Sequence, residues 1–302
     1  MKPDALPYDK AHEQSAPRSR IADVLVLAKV RLNSLVVLTS AGGYYMAGPL
    51  GVDPMALALA SAGTALVAAG AAAINQVDER DVDRLMERTR LRPMADGRMR
   101  VSEGRAVAAG LGAAGLVTLW FGANPTAALL AFVTFLIYAF IYTPLKRRTS
   151  LSTIVGAVPG ALPPLIGWAA ARGTLSGPEP WTLFALMFAW QLPHFLSIAW
   201  LYREDYARAG LPMLSVLDRD GRVTGRQAAL WAAMLVPVSL LPFLFGLATP
   251  VYAIGALVLG LLQLSVAVGF ARHRSLANAR RLFYASILYL PLLWALMALA
   301  RR

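Results

Sequence analysis

Runs of apolar residues close to the length that crosses a bilayer recur along this chain, and they leave few folds open. A hydrocarbon core of about 30 Å takes roughly 20 residues of α-helix but only about ten of β-strand. Backbone groups find no water there, so a run of this length must satisfy them within itself as a helix. Such runs lie near 31–48, 55–75, 104–122, 126–143, 152–171, 181–200, 227–247, 250–271 and 282–300. With 57% hydrophobic and 15% charged residues, a soluble enzyme is excluded. The expectation is an all-α polytopic membrane protein of about nine transmembrane helices, one domain over 23–302. Residues 1–22, with Pro3, Pro7, Pro17 and mixed charge, lack the apolar core of a signal peptide and read as a disordered tail.

The net charge of +12 supports a topology rather than a nucleic-acid surface, because the basic residues are spread over short loops. With the amino terminus inside, they fall on the tail (through Lys29 and Arg31), the 76–103 loop, Lys146–Arg148, the 201–226 loop and the 272–281 turn. Arg172, Arg301 and Arg302 fall outside this set, and the opposite connections are nearly free of Lys and Arg. That bias places the long loops 76–103 and 201–226 on the cytoplasmic side. Tyr44, Tyr45, Trp120, Trp181 and Trp200 sit near span ends and read as interfacial anchors. No cysteine is present, which excludes thiolate nucleophiles, thiolate metal sites and disulfides.

Chemistry is expected where the second run turns into alternating acids and bases, over residues 71–93. Five carboxylates fall in ten positions, Asp78, Glu79, Asp81, Asp83 and Glu87, out of seventeen in the chain. If the helix continues past the membrane boundary, Asn75, Glu79 and Asp83 share one face over about 12 Å of axis. A carboxamide and two carboxylates without Cys or His suit a hard cation such as Mg2+, which is usually held together with a substrate phosphate. Asp78 and Asp81 are possible further ligands, Asp81 pointing to another side of the helix. Arg84, Arg88, Arg90 and Arg92 suit phosphate oxygens, and so do Lys146 and Arg147. The same cations also read as topogenic charge.

The second long loop mirrors the first. Tyr202, Asp205 and Tyr206 fall at helical spacing as a second polar anchor, or else as a solvated helix end. His194 sits two turns deeper, after Pro193, where a break in the helix would open a bend for a neutral imidazole. A packed histidine bonded to a carbonyl is the alternative reading. Pro159, Pro163 and Pro164 predict a kink in the fifth span.

These residues carry a resemblance. The series Asn75-x-x-x-Glu79-x-x-x-Asp83, with Arg88, Arg92 and Pro93 following, is similar to the motif of the intramembrane UbiA-type prenyltransferase superfamily. Tyr142-Thr-Pro-Leu-Lys146-Arg147-Arg148-Thr149, Pro193-His194-Phe195 and Asp205-Tyr206-Ala-Arg-Ala-Gly210-Leu-Pro212-Met213-Leu214 resemble its haem-farnesylating branch. Glu79 stands where most of the superfamily has Asp. The resemblance covers residue 25 to the last helix. It implies a helical bundle around a central cavity and transfer of farnesyl from farnesyl diphosphate to a vinyl group of protohaem IX (haem B), with water added, giving haem O.

By the same resemblance, Asn75, Glu79 and Asp83 are the catalytic metal and diphosphate residues. Arg88, Arg92, Lys146 and Arg147 are diphosphate partners, and His194 is a candidate haem contact. Haem serves as substrate rather than cofactor, the setting is a bacterial inner membrane, and a haem A synthase is a possible downstream partner. Two alternatives stand beside this. A prenyltransferase of the same fold could act on an aromatic or quinone precursor, and a transporter could use the charged loops as gates.

Overall fold

The computed structural model describes residues 19–48 and 52–302. Among these, helices account for most of the chain and the one extended pairing is the isolated bridge between Ala248 and Arg301. A short helix, α1 (Arg20–Leu27), precedes α2 (Val30–Ala47), α3 (Pro54–Asp83), α4 (Val101–Gly122) and α5 (Pro125–Leu145). Then come α6 (Ser152–Arg172), α7 (Glu179–Leu201), α8 (Arg203–Arg208), α9 (Leu214–Leu217), α10 (Arg222–Leu244), α11 (Pro250–Arg272) and α12 (Leu276–Leu299). Eight of these, from α3 on and without α8 and α9, are long and apolar enough to cross a membrane. The ninth expected span, 31–48, is α2, where Arg31, Asn33, Ser34 and a glycine pair dilute the apolar run. The expected tail falls largely on residues 1–18, outside the described residues, and the chain is already helical from Arg20.

Local chemistry sets the helix starts. Asp53 accepts hydrogen bonds from the amides of Met55 (2.9 Å) and Ala56 (3.2 Å) ahead of Pro54, and Asn124 caps the amide of Ala127 (3.0 Å) ahead of Pro125. A capping acceptor followed by proline satisfies the free amides of a first turn with a residue that needs no donor there. Ser275 caps α12 by accepting from the amide of Asn278, with no proline following it. The fifth span bends as the prolines predict: helical hydrogen bonding in α6 is interrupted at Leu162, between Ser152–Ala161 and Pro163–Arg172. Pro193 does not break α7, which runs unbroken from Glu179 to Leu201, so the expected break before His194 is corrected to a continuous helix.

Both long connections are shorter than read from the sequence. Residues 76–83 belong to α3, which leaves 84–100 as the first connection, and the 201–226 segment holds α8, α9 and the start of α10. The core joins Met46, Trp168, Leu183, Leu186, Leu235, Tyr252 and Leu293 from six helices, while Phe121, Leu261, Leu288 and Leu299 face outward. An apolar exterior is the lipid-facing surface of a membrane bundle. Trp120 and Trp181 are exposed as interfacial anchors should be, but Tyr44 and Trp200 are buried, Trp200 donating to the carbonyl of Arg274 at 3.1 Å. Arg172, Arg301 and Arg302 converge on a pocket of about 540 Å3 with Trp168 and Glu179. Arg172 and Arg301 there bind the carbonyls of Ala47 and Gly48 at the carboxyl end of α2.

Without a hydrophobic force between helices in lipid, close backbone approach carries much of the association. On α6, a Cβ at Gly167 would overlap the carbonyl oxygen of Ser40 on α2. On α3, a Cβ at Gly70 would meet the backbone of Ala108 and Gly112 at 2.8 Å. Gly167→Ala is therefore expected to destabilise the bundle by about 1–3 kcal/mol, the usual penalty for overfilling a packed contact. Gly269→Ala, where the added methyl meets nothing within 4 Å, is the control and should leave the thermal unfolding temperature in detergent unchanged or raised.

Candidate functional site

Because α3 continues to Asp83, the side chains of Asn75, Glu79 and Asp83 form one buried row, each less than 5% exposed. Carboxylates at that depth require partners, and three separate segments supply them. Lys29, in the corner between α1 and α2, donates its Nζ to Asn75 Oδ1 at 2.9 Å. Lys146, just past α5, places Nζ 3.1 and 3.3 Å from the two oxygens of Glu79. Arg92, in the connection after α3, pairs with Asp83 Oδ2 at 2.8 Å. Asn75 Nδ2 also donates to Thr143 Oγ1 at 3.1 Å. Asp83 Oδ1 is buried and has no hydrogen-bond partner among the described residues.

Two irregularities in the backbone deliver these cations. Lys29 has φ +48°, a left-handed conformation unfavourable for a residue with a side chain, and so turns the chain sharply from α1 into α2. Gln76 holds that corner by donating to the carbonyls of Val26 (3.1 Å) and Leu27 (2.8 Å). The last part of α5, Ile137–Tyr142, is π-helical, and Thr143 Oγ1 donates five residues back to Tyr138 at 2.9 Å. The wider turn brings Thr143 and Lys146 onto the face that meets α3. Burial and the nearby Arg92 lower the pKa of Lys29 to about 7, with Glu79 opposing them. Burial also disfavours the charge on Lys146, but Glu79 outweighs it and its pKa is raised.

The remaining candidates are arranged differently. Asp81 is exposed and pairs with Arg80 (3.4 Å) and Arg84 (3.8 Å), so it does not join the row; two residues from Glu79 it projects from another side of the helix. Asp78 is half-buried, its carbonyl held by Arg147, and Arg84 donates Nε to the carbonyl of Ala95 at 2.6 Å. Asp205 is not a second acidic anchor open to a cation. Its two oxygens accept from the amides of Glu87 and Arg88, both at 3.3 Å, and Arg208 pairs with it at 3.2 Å. It thus fastens the first loop to the second. Arg88 lies 5.0 Å over the ring of Tyr202, and Tyr206 is buried in a cluster with Met86, Leu211 and Met213. His194 lies apart, between Trp190 and Phe283, with Nδ1 2.7 Å from Ser286 Oγ.

The sequence reading missed Lys29 as a site residue, counting it as topogenic charge. Its signal was present: a lysine directly before a span that is itself unusually polar. Thr143 was missed too, lying inside a quoted string without a role.

The family model for the UbiA prenyltransferase family matches residues 35–296. The chain belongs to the UbiA prenyltransferase family. A protoheme IX farnesyltransferase of Solibacter usitatus is 45% identical over 288 residues, covering 92% of this chain and 98% of that protein. One from Myxococcus xanthus is 42% identical over 93% of this chain and 95% of its own length. Among solved structures, a UbiA homologue from Archaeoglobus fulgidus bound to GPP and Mg2+ superimposes with a TM-score of 0.70 at 17% identity, over 91% of this chain and 99% of that one. A digeranylgeranylglyceryl phosphate synthase gives 0.77 at 16% identity, over 93% and 98%. At such identities the structures share the fold, which is that of the prenyltransferase bundle.

The pairing within the row has a measurable consequence. Removing one partner of a buried ion pair costs about 3–5 kcal/mol, because the other charge is left uncompensated. Lys146→Met is expected to lower the unfolding temperature in detergent markedly, and adding Glu79→Gln to the same chain should recover most of the loss. A double variant no more stable than Lys146→Met would show that the lysine acts through packing instead of through Glu79.

Proposed function

We infer that this chain transfers the farnesyl group of farnesyl diphosphate to a vinyl group of protohaem IX, with addition of water, giving haem O and diphosphate. The observation that carries the acceptor is the kinship with protoheme IX farnesyltransferases over more than nine-tenths of the chain. The site supports the donor: a row of oxygen ligands with cations around it is what a diphosphate and a hard cation need together.

Mg2+ fits this row. The donors are hard oxygens one helical turn apart, and Asp83 Oδ1 is a buried carboxylate oxygen with no other partner among the described residues. Asn75, Glu79 and Asp83 would hold the ion, which supplies positive charge against the diphosphate. The chain's own cations do the rest. Lys29, Lys146, Arg88, Arg92 and Arg147 receive the negative charge that builds on the bridging oxygen as the allylic C–O bond breaks and its electron pair leaves with diphosphate. The cations now on Glu79 and Asp83 exchange a carboxylate for the more highly charged diphosphate, so binding is substitution of one anion by another. The farnesyl cation is attacked by the vinyl π-bond, and water captures the resulting cation and releases a proton. Tyr202 and Tyr206 line the loop side, and Asp205 keeps Arg88 in place through its backbone.

The charge distribution supports an orientation with the amino terminus and this site on the cytoplasmic side of a bacterial inner membrane. The product would pass to an enzyme that oxidises haem O, a haem A synthase.

Incubation of the purified protein with protohaem, farnesyl diphosphate and Mg2+ should yield, by mass spectrometry, a haem heavier by one farnesyl and one hydroxyl group, and EDTA should abolish it. Asn75→Ala, Glu79→Gln and Asp83→Asn should each lower kcat/KM on the order of 10²-fold when assayed at a temperature where circular dichroism shows the variant folded. Unchanged protohaem together with turnover of a phenolic acceptor would keep the diphosphate site and replace the acceptor.

A further inference from the structure

The end of the bundle opposite the row gathers its cations into one place. Arg172, at the end of α6, and Arg301 and Arg302, after α12, are the basic residues there, and the connections 48–53, 123–124, 173–178 and 245–249 carry none. Charge that only sets topology is spread over separate loops. These three instead meet in the pocket of about 540 Å3, a volume typical of small-molecule sites.

The pocket is built in advance of any ligand. Arg172 Nε donates to the carbonyl of Ala47, and Arg301 Nη2 donates to that of Gly48 while its guanidinium lies 4.8 Å over the ring of Tyr45. The backbone beneath is fixed as well. Thr249 donates its amide to the carbonyl of Ala300 at 2.8 Å, and Arg302 donates its amide to that of Leu247 at 3.2 Å. Arginine carries five N–H donors and no acceptor, so Arg172 and Arg301 keep donors free after capping α2, and capping accounts for none of Arg302. Among the described residues, no acidic side chain lies within ion-pair distance of any of the three. Glu179, the acid that lines the pocket, sits in the first turn of α7, where the helix dipole already favours a carboxylate.

Forked guanidinium donors match the oxygens of a phosphate group, and Thr174 and Ser176 bring two hydroxyls to the same wall. The source of the phosphate follows from the other side of the pocket. Phe245, which lines it, and Leu244 beside it are exposed at the end of α10 and continue the apolar exterior. A free phosphate ion has nothing to bury there, whereas a phospholipid has two acyl chains. We propose that this pocket holds the phosphate group of an anionic phospholipid, with its chains against Leu244 and Phe245. Basic pockets between transmembrane helices take lipid head groups in this way. The lipid ties the ends of α2, α6 and α10 to the chain after α12, and it neutralises cations that lie on the face where the positive-inside bias disfavours them. The site is independent of the acceptor proposed above.

The test is native mass spectrometry of the full-length protein in detergent, titrated with phosphatidylglycerol, with phosphatidylcholine of the same acyl chains, and with inorganic phosphate. One phosphatidylglycerol should stay bound and raise the unfolding temperature, while the other two bind more weakly and leave it unchanged. A chain carrying Arg172→Gln and Arg302→Gln should bind phosphatidylglycerol about 10–100-fold more weakly, the loss expected when charge-assisted hydrogen bonds are removed. Arg302→Gln alone removes no side-chain bond to the described residues, so it should keep the lipid-free unfolding temperature and still weaken binding several-fold. Glu179→Gln should tighten binding about two- to fivefold, the worth of one exposed charge contact and a gain that damage to the fold does not produce. Phosphatidylcholine held as tightly as phosphatidylglycerol overturns the anionic site. Inorganic phosphate bound as tightly assigns the pocket to a soluble phosphate and overturns the lipid. Phosphatidylglycerol binding unchanged in both Arg302→Gln and Glu179→Gln overturns this pocket as its place.

Discussion

The structure depends on the burial of three oxygen-bearing side chains where α3 leaves the apolar layer. A carboxylate sealed from water without a partner costs several kcal/mol, and a single helix cannot neutralise its own row. Each member of the row therefore draws in a different segment: Lys29 from the corner before α2, Lys146 from the end of α5 and Arg92 from the connection after α3. The strained backbone of Lys29 and the π-helical end of α5 both exist where these cations must reach inward. Neither irregularity is explained by local propensity, and both are explained by the row.

The resulting site is internally compensated. Its acids are paired by the same cations that the proposed reaction turns toward diphosphate. Such a site holds a charge-dense arrangement together between turnovers without exposing unpaired carboxylates to the membrane. Asp205 adds a second restraint by gripping the amides of Glu87 and Arg88, which ties together the two loops that frame the site.

Much of this was legible in the sequence because it is periodic. Span lengths followed from apolar runs, and Asn75, Glu79 and Asp83 shared a face because they recur every fourth residue on one helix. What faces that row was not legible, since Lys29 and Lys146 lie 46 and 67 residues away from their partners and nothing local marks the pairing. The Lys146 string showed its place only through resemblance. Proline was a good guide where it was repeated and a poor one where it was single. Pro159, Pro163 and Pro164 deny successive donors to one stretch, and helical bonding lapses there. Pro193 denies one donor in a helix buried on most sides, and packing keeps α7 whole. Asp205 read as an anchor for a cation because its sequence neighbours are polar, whereas beyond the neighbouring Arg208 its partners are backbone amides of another loop, which sequence does not display.

The π-helical stretch in α5 also bears on how such a chain tolerates insertion and deletion. A π-turn holds one residue more than the α-turn it replaces, so the chain beyond it keeps the direction it would have with one residue fewer. Were Ile137–Tyr142 to wind as a regular α-helix at its present length, everything beyond it would rotate by about 100°, the angle of one helical residue. Thr143 and Lys146 would then swing away from Asn75 and Glu79 together. A deletion inside the stretch leaves that register in place and one beyond it does not, so this turn absorbs a change of length without moving the residues that face the distant helix.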